Sequence, residues 1–309
     1  MDKDNQHYVP RGYLRGFTIP GEKSLIWQYD KNTGEIFKRP KSVNRICSEF
    51  QYYAQKNEDG STDKETMENA FHEIEDKTPR IIKKINSLNN AEKVIISEDE
   101  KAVLSFFTAM QLTRVPNFRN GIEEMYRKVV EIGLSHQVDK ARKDGTLPVS
   151  IDSLYKQGKI NIDIESFVSL KAMLATAQEG AINLMGKVWH FAMPAKGMSF
   201  VTSDNPVFFQ APEKYRELNS QIGPFHPVSE VTLPLSSDLL LIFSPSANYS
   251  KSEYDLINMT AVQLDEKDTD NLNKRSILAA KQYVYSSENN KDLAKLVSQF
   301  KGSTQHVTV

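Results

Sequence analysis

The sequence predicts an α+β fold, with an N-terminal hairpin and a C-terminal antiparallel or mixed sheet packed against a central helical bundle. β-forming segments bounded by turn residues occupy both ends of the chain, whereas apolar residues recur three and four apart between residues 63 and 187. No regular alternation of strand and helix runs through the chain, so parallel βαβ units are not expected. One domain is expected over 1–287: strand and turn at 1–60, helices at 63–187 and strands at 188–287, with a helix and tail at 288–309.

Near the start, Ser24 to Tyr29 is rich in β-formers and Asp30-Lys31-Asn32-Thr33-Gly34 is turn chemistry, so a hairpin returning through Glu35 to Lys38 is expected. A short helix over Ser42 to Cys47, a strand at Tyr52-Tyr53-Ala54 and an exposed loop over Lys56 to Lys64 follow. Met67, Phe71, Ile74, Ile81, Ile82, Ile85 and Leu88, the last of which lies outside the described residues, then form one apolar helical face, with a kink or restart expected at Thr78-Pro79. Ser97-Glu98-Asp99-Glu100 reads as a capping box, opening a helix that buries Val103, Phe106, Phe107 and Met110 and stops at Arg114-Val115-Pro116. A further helix runs from Asn117 to Leu134. Polar residues 136–163 read as a mobile connection, and Ile164 to Lys187 returns to helix. Strands are expected at Val188 to Met193, Met198 to Thr202, Pro206 to Phe209, Glu230 to Leu233, Leu239 to Ser244 and Gln282 to Tyr285, with helices at Asp268 to Ala280 and about 290–300.

Composition narrows the functional classes. Basic and acidic residues number 39 and 40, so no global field draws the molecule to nucleic acid or membrane, although a local basic cleft remains open. Cys47 is the sole cysteine, which excludes an internal disulfide and a multi-cysteine zinc site. The polar opening Met1-Asp2-Lys3-Asp4-Asn5-Gln6 predicts no secretory leader. The longest apolar run, Leu239 to Phe243, is far short of the roughly 20 residues of a membrane helix. A cytoplasmic location is expected.

The block His7-Tyr8-Val9-Pro10 with Tyr13-Leu14 and Phe17 is followed in order by three others. They are Arg114-Val115-Pro116 after a helix, Thr202-Ser203-Asp204-Asn205-Pro206-Val207 after a tryptophan strand, and Leu233-Pro234-Leu235-Ser236 before an apolar strand. With these residues the chain resembles the bacterial family of domain of unknown function 4238 over roughly residues 5–287. Gly12 and Gly16 depart from the bulkier neighbours expected beside Tyr13 and Phe17. The resemblance implies no reaction. It does imply an association with anti-phage defence, because some relatives lie among defence genes.

Six residues stand out as candidates. His7 suits a general base or metal ligand, since imidazole exchanges protons near neutrality; it equally suits a backbone hydrogen bond that anchors the N-terminal segment. Arg11 and Arg15 share a face in either helix or strand and could form a phosphate-directed fork, or simply a solvated surface. Arg114 occupies a position on an apolar helical face, so it needs an acceptor. It either binds substrate or caps the last turn, and an ion pair with Asp204 suits both readings. Asp204 and Asn205 follow an apolar strand, where a carboxylate can hold a metal or a proton and the asparagine can contact substrate; alternatively they form a tight turn.

Phosphate-loop, nucleophile-elbow and zincin motifs are absent from the sequence, and Asp265-Glu266-Lys267 reads as a helix cap. Three readings follow. The first is a hydrolase acting on a phosphate-containing substrate such as nucleic acid, with His7 and Asp204 catalytic, a divalent metal as its expected cofactor, and Arg11, Arg15, Arg114 and Asn205 binding substrate. The second is a non-catalytic module sensing a nucleotide or partner. The third is a structural polar network.

Overall fold

The computed structural model describes residues 4–57, 59–87, 93–212 and 222–303. It is α+β, and the two ends of the chain share a sheet. Strand β1 (Asn5–His7) pairs antiparallel with β4 (Ser48–Phe50). Strand β2 (Leu25–Asp30) ends in the expected turn, where the Asp30 carboxylate accepts from the amides of Asn32 and Thr33. The return segment is less regular than expected. It makes a single bridge between Tyr29 and Ile36, and regular pairing resumes only at β3 (Lys41–Ser42) against Leu25 and Ile26.

The helix expected over Ser42 to Cys47 does not form. The Val43 amide instead donates to Ser24, Arg45 closes a turn onto Ser42, and Cys47 takes φ 53°, a left-handed value incompatible with a helix. The strand expected at Tyr52–Ala54 is likewise a turn, closed by Ala54 onto Gln51, whose φ is 51°. Polar residues 56–64 include a small hairpin, β5 (Gln55–Lys56) with β6 (Thr62–Asp63).

In the helical region α2 (Thr66–Asn86) continues through Pro79, where a kink or restart was expected. Proline removes the amide that would bond the Glu75 carbonyl. Gly12 of α1 (Arg11–Leu14) packs there: a Cβ on it would stand 3.7 Å from that carbonyl and 3.4 Å from the Pro79 ring. Gly16 is tighter still, since its Cβ would lie 3.1 Å from the Leu235 carbonyl oxygen. Gly16 marks a close approach of the opening block to its neighbours, whereas the distances at Gly12 are those of ordinary contact.

The capping box forms at Ser97, where α3 (Glu98–Thr113) begins; Phe107 and Met110 are buried, and Val103 and Phe106 partly so. Helix α4 (Pro116–Lys143) is far longer than expected. With α5 (Val149–Lys156) it fills much of the stretch read as a mobile connection. Beyond Leu134 its residues are mostly polar and gave no apolar periodicity to detect. Helix α6 (Ser166–Met185) packs against α3 and α4.

The larger C-terminal sheet is built from β7 (Val188–Met193), β9 (Phe208–Gln210), β10 (Glu230–Ser236), β11 (Leu239–Ser244) and β12 (Thr260–Gln263), in the order β12-β7-β11-β10-β9. Only β12 and β7 run parallel, so the sheet is mixed. Strand β12 and the short α7 (Lys251–Ile257) before it are additions to the expected elements. The strand expected from Met198 shrinks to β8 (Thr202–Ser203). After α8 (Glu266–Ala279), β13 (Tyr283–Ser286) lies between β8 and β2, in a second sheet of order β3-β2-β13-β8. The N-terminal hairpin is therefore half of a sheet completed by C-terminal strands. Helix α9 (Lys291–Gln299) sets Ala294 and Val297 against Tyr29.

Candidate functional site

The opening block crosses from β1 to α1, and Pro10 supplies the extended residue before the first helical turn. Helical backbone at Arg11–Leu14, continued as a 3-10 turn through Phe17, puts Arg11 and Arg15 four apart on the exposed side. Tyr13, Leu14 and Phe17 go into the core. The Tyr13 hydroxyl donates to the Pro234 carbonyl and lies 2.7 Å from Thr202 Oγ1, tying the opening block to two later motifs.

His7, Tyr8, Arg11 and Arg15 line a cleft of about 1600 Å³. Also lining it are Lys41 of β3, Arg45 of the turn that follows, the rings of Phe37 and Tyr283, and the α2 residues Glu68, His72, Glu75 and Asp76. Lys41 Nζ sits 4.6 Å from the Phe37 ring centre, and the Phe37 and Tyr283 rings meet edge to face at 6.1 Å. One of the acidic groups is committed, Glu75 to Arg114, while Asp76 Oδ2 lies 3.3 Å from His72 Nδ1 and keeps its charge in the cleft. Among the described residues Arg15, Lys41 and Arg45 form no ion pair. The uncommitted charge of the cleft is thus mainly positive. Against it stand Asp76 and Glu68; the Glu68 carboxyl is pushed up by burial and by Glu75 and pulled down by Arg114 and Arg11.

The His7 ring Nε2 lies 3.3 Å from the Val43 carbonyl oxygen. A carbonyl only accepts, so Nε2 carries the hydrogen and the neutral ring leaves its lone pair on Nδ1. Burial, then the charge of Arg11, and more weakly that of Arg114, lower its pKa to about 4 against the opposing effect of the Val43 bond. His7 is therefore neutral at pH 7: a hydrogen-bond acceptor, and a weak base until an anion offsets the arginines.

Arg114 lies behind this wall, 1% exposed. Its Nε donates to the Tyr8 carbonyl at 2.6 Å, its Nη2 to the His7 carbonyl at 3.2 Å and its Nη1 to Glu75 at 2.8 Å. The ion pair expected with Asp204 is not formed; Glu75 takes that place because it sits on the turn of α2 facing the end of α3. Arg114 caps α3 and fixes the backbone that presents His7 and Tyr8.

Asp204 is buried away from the cleft lining. Its Oδ1 accepts the Lys281 amide at 2.8 Å, and its Oδ2 accepts those of Gln282 and Tyr283 at 2.9 and 3.0 Å. Burial raises its pKa, while those amides and the charge of Lys31 pull it down. Asn205 Nδ2 donates to the Ala279 carbonyl, and Lys31 Nζ donates to those of Leu278 and Ala280. Together they hold the turn from α8 into β13. Asp204, Asn205 and Tyr8 also border a small hole of about 10 Å³, so Tyr8 is the residue shared between that hole and the cleft.

The geometry thus brings His7, Arg11 and Arg15 to one cleft, places Arg114 behind it as support, and commits Asp204 and Asn205 to a turn. Among the described residues, no three His, Cys, Asp or Glu side chains are grouped to hold a metal ion. Lys41, Arg45, Phe37 and Tyr283 were not singled out from the sequence. Arg45 falls in a segment read as a helix and Lys41 just before it, and their only signal was charge beside a turn.

The pattern that defines the family described as Protein of unknown function (DUF4238) matches residues 5–290. No curated protein and no solved structure was found to match.

Proposed function

The chain belongs to the DUF4238 family, and from the geometry of the cleft we propose that it binds a phosphate-bearing ligand of the nucleotide or nucleic-acid class. The observation that carries this reading is the gathering of Arg11, Arg15, Lys41 and Arg45 around one cleft that also presents the Phe37 and Tyr283 rings. Guanidinium forks match phosphate oxygens, and half-buried rings at the edge of a cleft can stack on a base. Binding is favoured over turnover because Asp204, the carboxylate that would assist His7, has its oxygens filled by backbone amides.

Titration with fluorescent nucleotides and short single-stranded oligonucleotides tests it. Wild type binds at least one of them, and Arg15→Ala or Arg45→Ala, both exposed, weakens binding by about tenfold each. No binding by any probe, or unchanged affinity in both variants, contradicts the reading.

Hydrolysis of the bound phosphodiester is a second reading, favoured by the lone pair on His7 Nδ1. It requires turnover by wild type that His7→Gln abolishes. A role in anti-phage defence is carried by the resemblance to defence-associated relatives; it predicts fewer plaques on cells expressing wild type than on cells expressing Arg45→Ala.

A further inference from the structure

Successive residues of a strand face opposite sides of its sheet. In β2, Trp27 and Tyr29 pack with Ala294 and Val297 of α9, so Gln28 faces the other way, into the cleft that it lines. Its neighbours on that side come from both flanks. Tyr285 of β13 is its register partner, with Tyr283 two residues along the same strand, and the Phe37 amide donates to the Gln28 carbonyl at 3.0 Å. Tyr285, Tyr283 and Phe37 all line the cleft as well. Gln28 is 4% exposed, yet among the described residues its side-chain amide has no hydrogen-bond partner. Comparably buried amides elsewhere in the fold are used: Gln6 bonds Lys64 and Tyr53, Asn205 bonds Ala279, and Asn273 bonds Ser199 and Val201. A buried amide without a partner is costly. At the wall of a cleft, a ligand supplies the missing partner.

Given the nucleotide reading above, on which this step rests, we propose that Gln28 reads the base of the ligand and that the base is adenine. A primary amide carries one donor and one acceptor side by side. Adenine shows the complementary pair on either edge, its 6-amino group beside N7 or beside N1. Guanine sets two acceptors, N7 and O6, on the first of those edges. That pattern suits an arginine and would turn an oxygen toward the acceptor of Gln28. A purine also covers more ring than a pyrimidine does, and the Phe37 and Tyr283 rings stand 6.1 Å apart beside Gln28. A base lying against either ring turns its edge to the amide, while Arg15, Lys41 and Arg45 remain for the phosphate.

Binding of the 5′-monophosphates of adenosine, guanosine, cytidine, uridine and purine riboside to the full chain tests the assignment. Purine riboside lacks the 6-amino group. Adenosine monophosphate binds about tenfold more tightly than each of the others. Gln28→Leu, close in size and without the amide, reduces the preference for adenosine over guanosine monophosphate to less than about twofold. The purine riboside comparison needs wild type alone, so it decides the matter even if that variant does not fold. Suppose nucleotides bind and Arg45→Ala weakens them. Equal affinity for the adenosine and either the guanosine or the purine riboside nucleotide, or a preference that folded Gln28→Leu retains, then overturns adenine recognition and leaves the phosphate reading standing. No binding by any nucleotide overturns both.

Discussion

Arg114 is a buried cation whose whole fork is engaged: two donors hold the carbonyls of His7 and Tyr8, and one meets Glu75. Truncation leaves those groups without their donor, so Arg114→Ala should lower unfolding free energy by about 3–5 kcal/mol, and Arg114→Lys should restore little of it because one ammonium cannot span the three. Asp204→Asn removes a carboxylate that serves three amides and should cost about 2–3 kcal/mol in chemical denaturation while leaving ligand affinity unchanged. A loss of affinity without loss of stability would instead return Asp204 to the site. At His7 the folded-state pKa lies near 4, below the ordinary 6.5. Between those values the unfolded chain takes up a proton that the folded ring refuses. The contribution, up to about 3 kcal/mol, is present above pH 6.5 and is lost as pH falls toward 4. The urea midpoint of wild type should therefore fall further between about pH 7 and about pH 4.5 than that of His7→Gln. The sequence showed that His7 and Arg114 required partners. It could not show which ones, because Glu75 and Val43 come from segments far away along the chain.

At the level of elements, local chemistry read well where one segment decides its own conformation. Ser97 and Glu100 form their reciprocal cap, and β7 and β11 have the expected limits. Elements decided by neighbours read poorly. Residues 42–47 and 52–54 are bent by the left-handed Cys47 and Gln51, which fit the chain around the α1 block. Strand β12 exists because β7 offers it an edge. Pro79 is tolerated inside α2, and Gly12 lies beside its ring. The two glycines of the opening block separate in a test. Gly16→Ala drives a methyl group to 3.1 Å from the Leu235 carbonyl and should destabilise by about 1–3 kcal/mol. Gly12→Ala meets only ordinary contacts and should change stability by less than about 1 kcal/mol, as followed by thermal melting. Equal effects would contradict the packing described for this block.

Across the whole molecule, the strand-rich ends were legible but their union was not. Strand β13 inserts between β2 and β8, so residues near 30, 203 and 284 become neighbours, and Tyr283 arrives beside Phe37 at the mouth of the cleft. A net charge of −1 concealed a basic cleft because acidic residues elsewhere balance it. The candidate site was half legible. His7, Arg11 and Arg15 were marked by the opening block, whereas Lys41, Arg45 and the two rings are brought to them only by the sheet. The most direct test of the central claim is the salt dependence of nucleotide or oligonucleotide affinity in wild type and in Arg15→Ala combined with Arg45→Ala. The account predicts that affinity falls steeply with salt in wild type, and that the slope of log K against log salt shrinks by about 0.7 for each phosphate contact removed. A double variant with the slope and affinity of wild type would show that the cleft is not where phosphate binds.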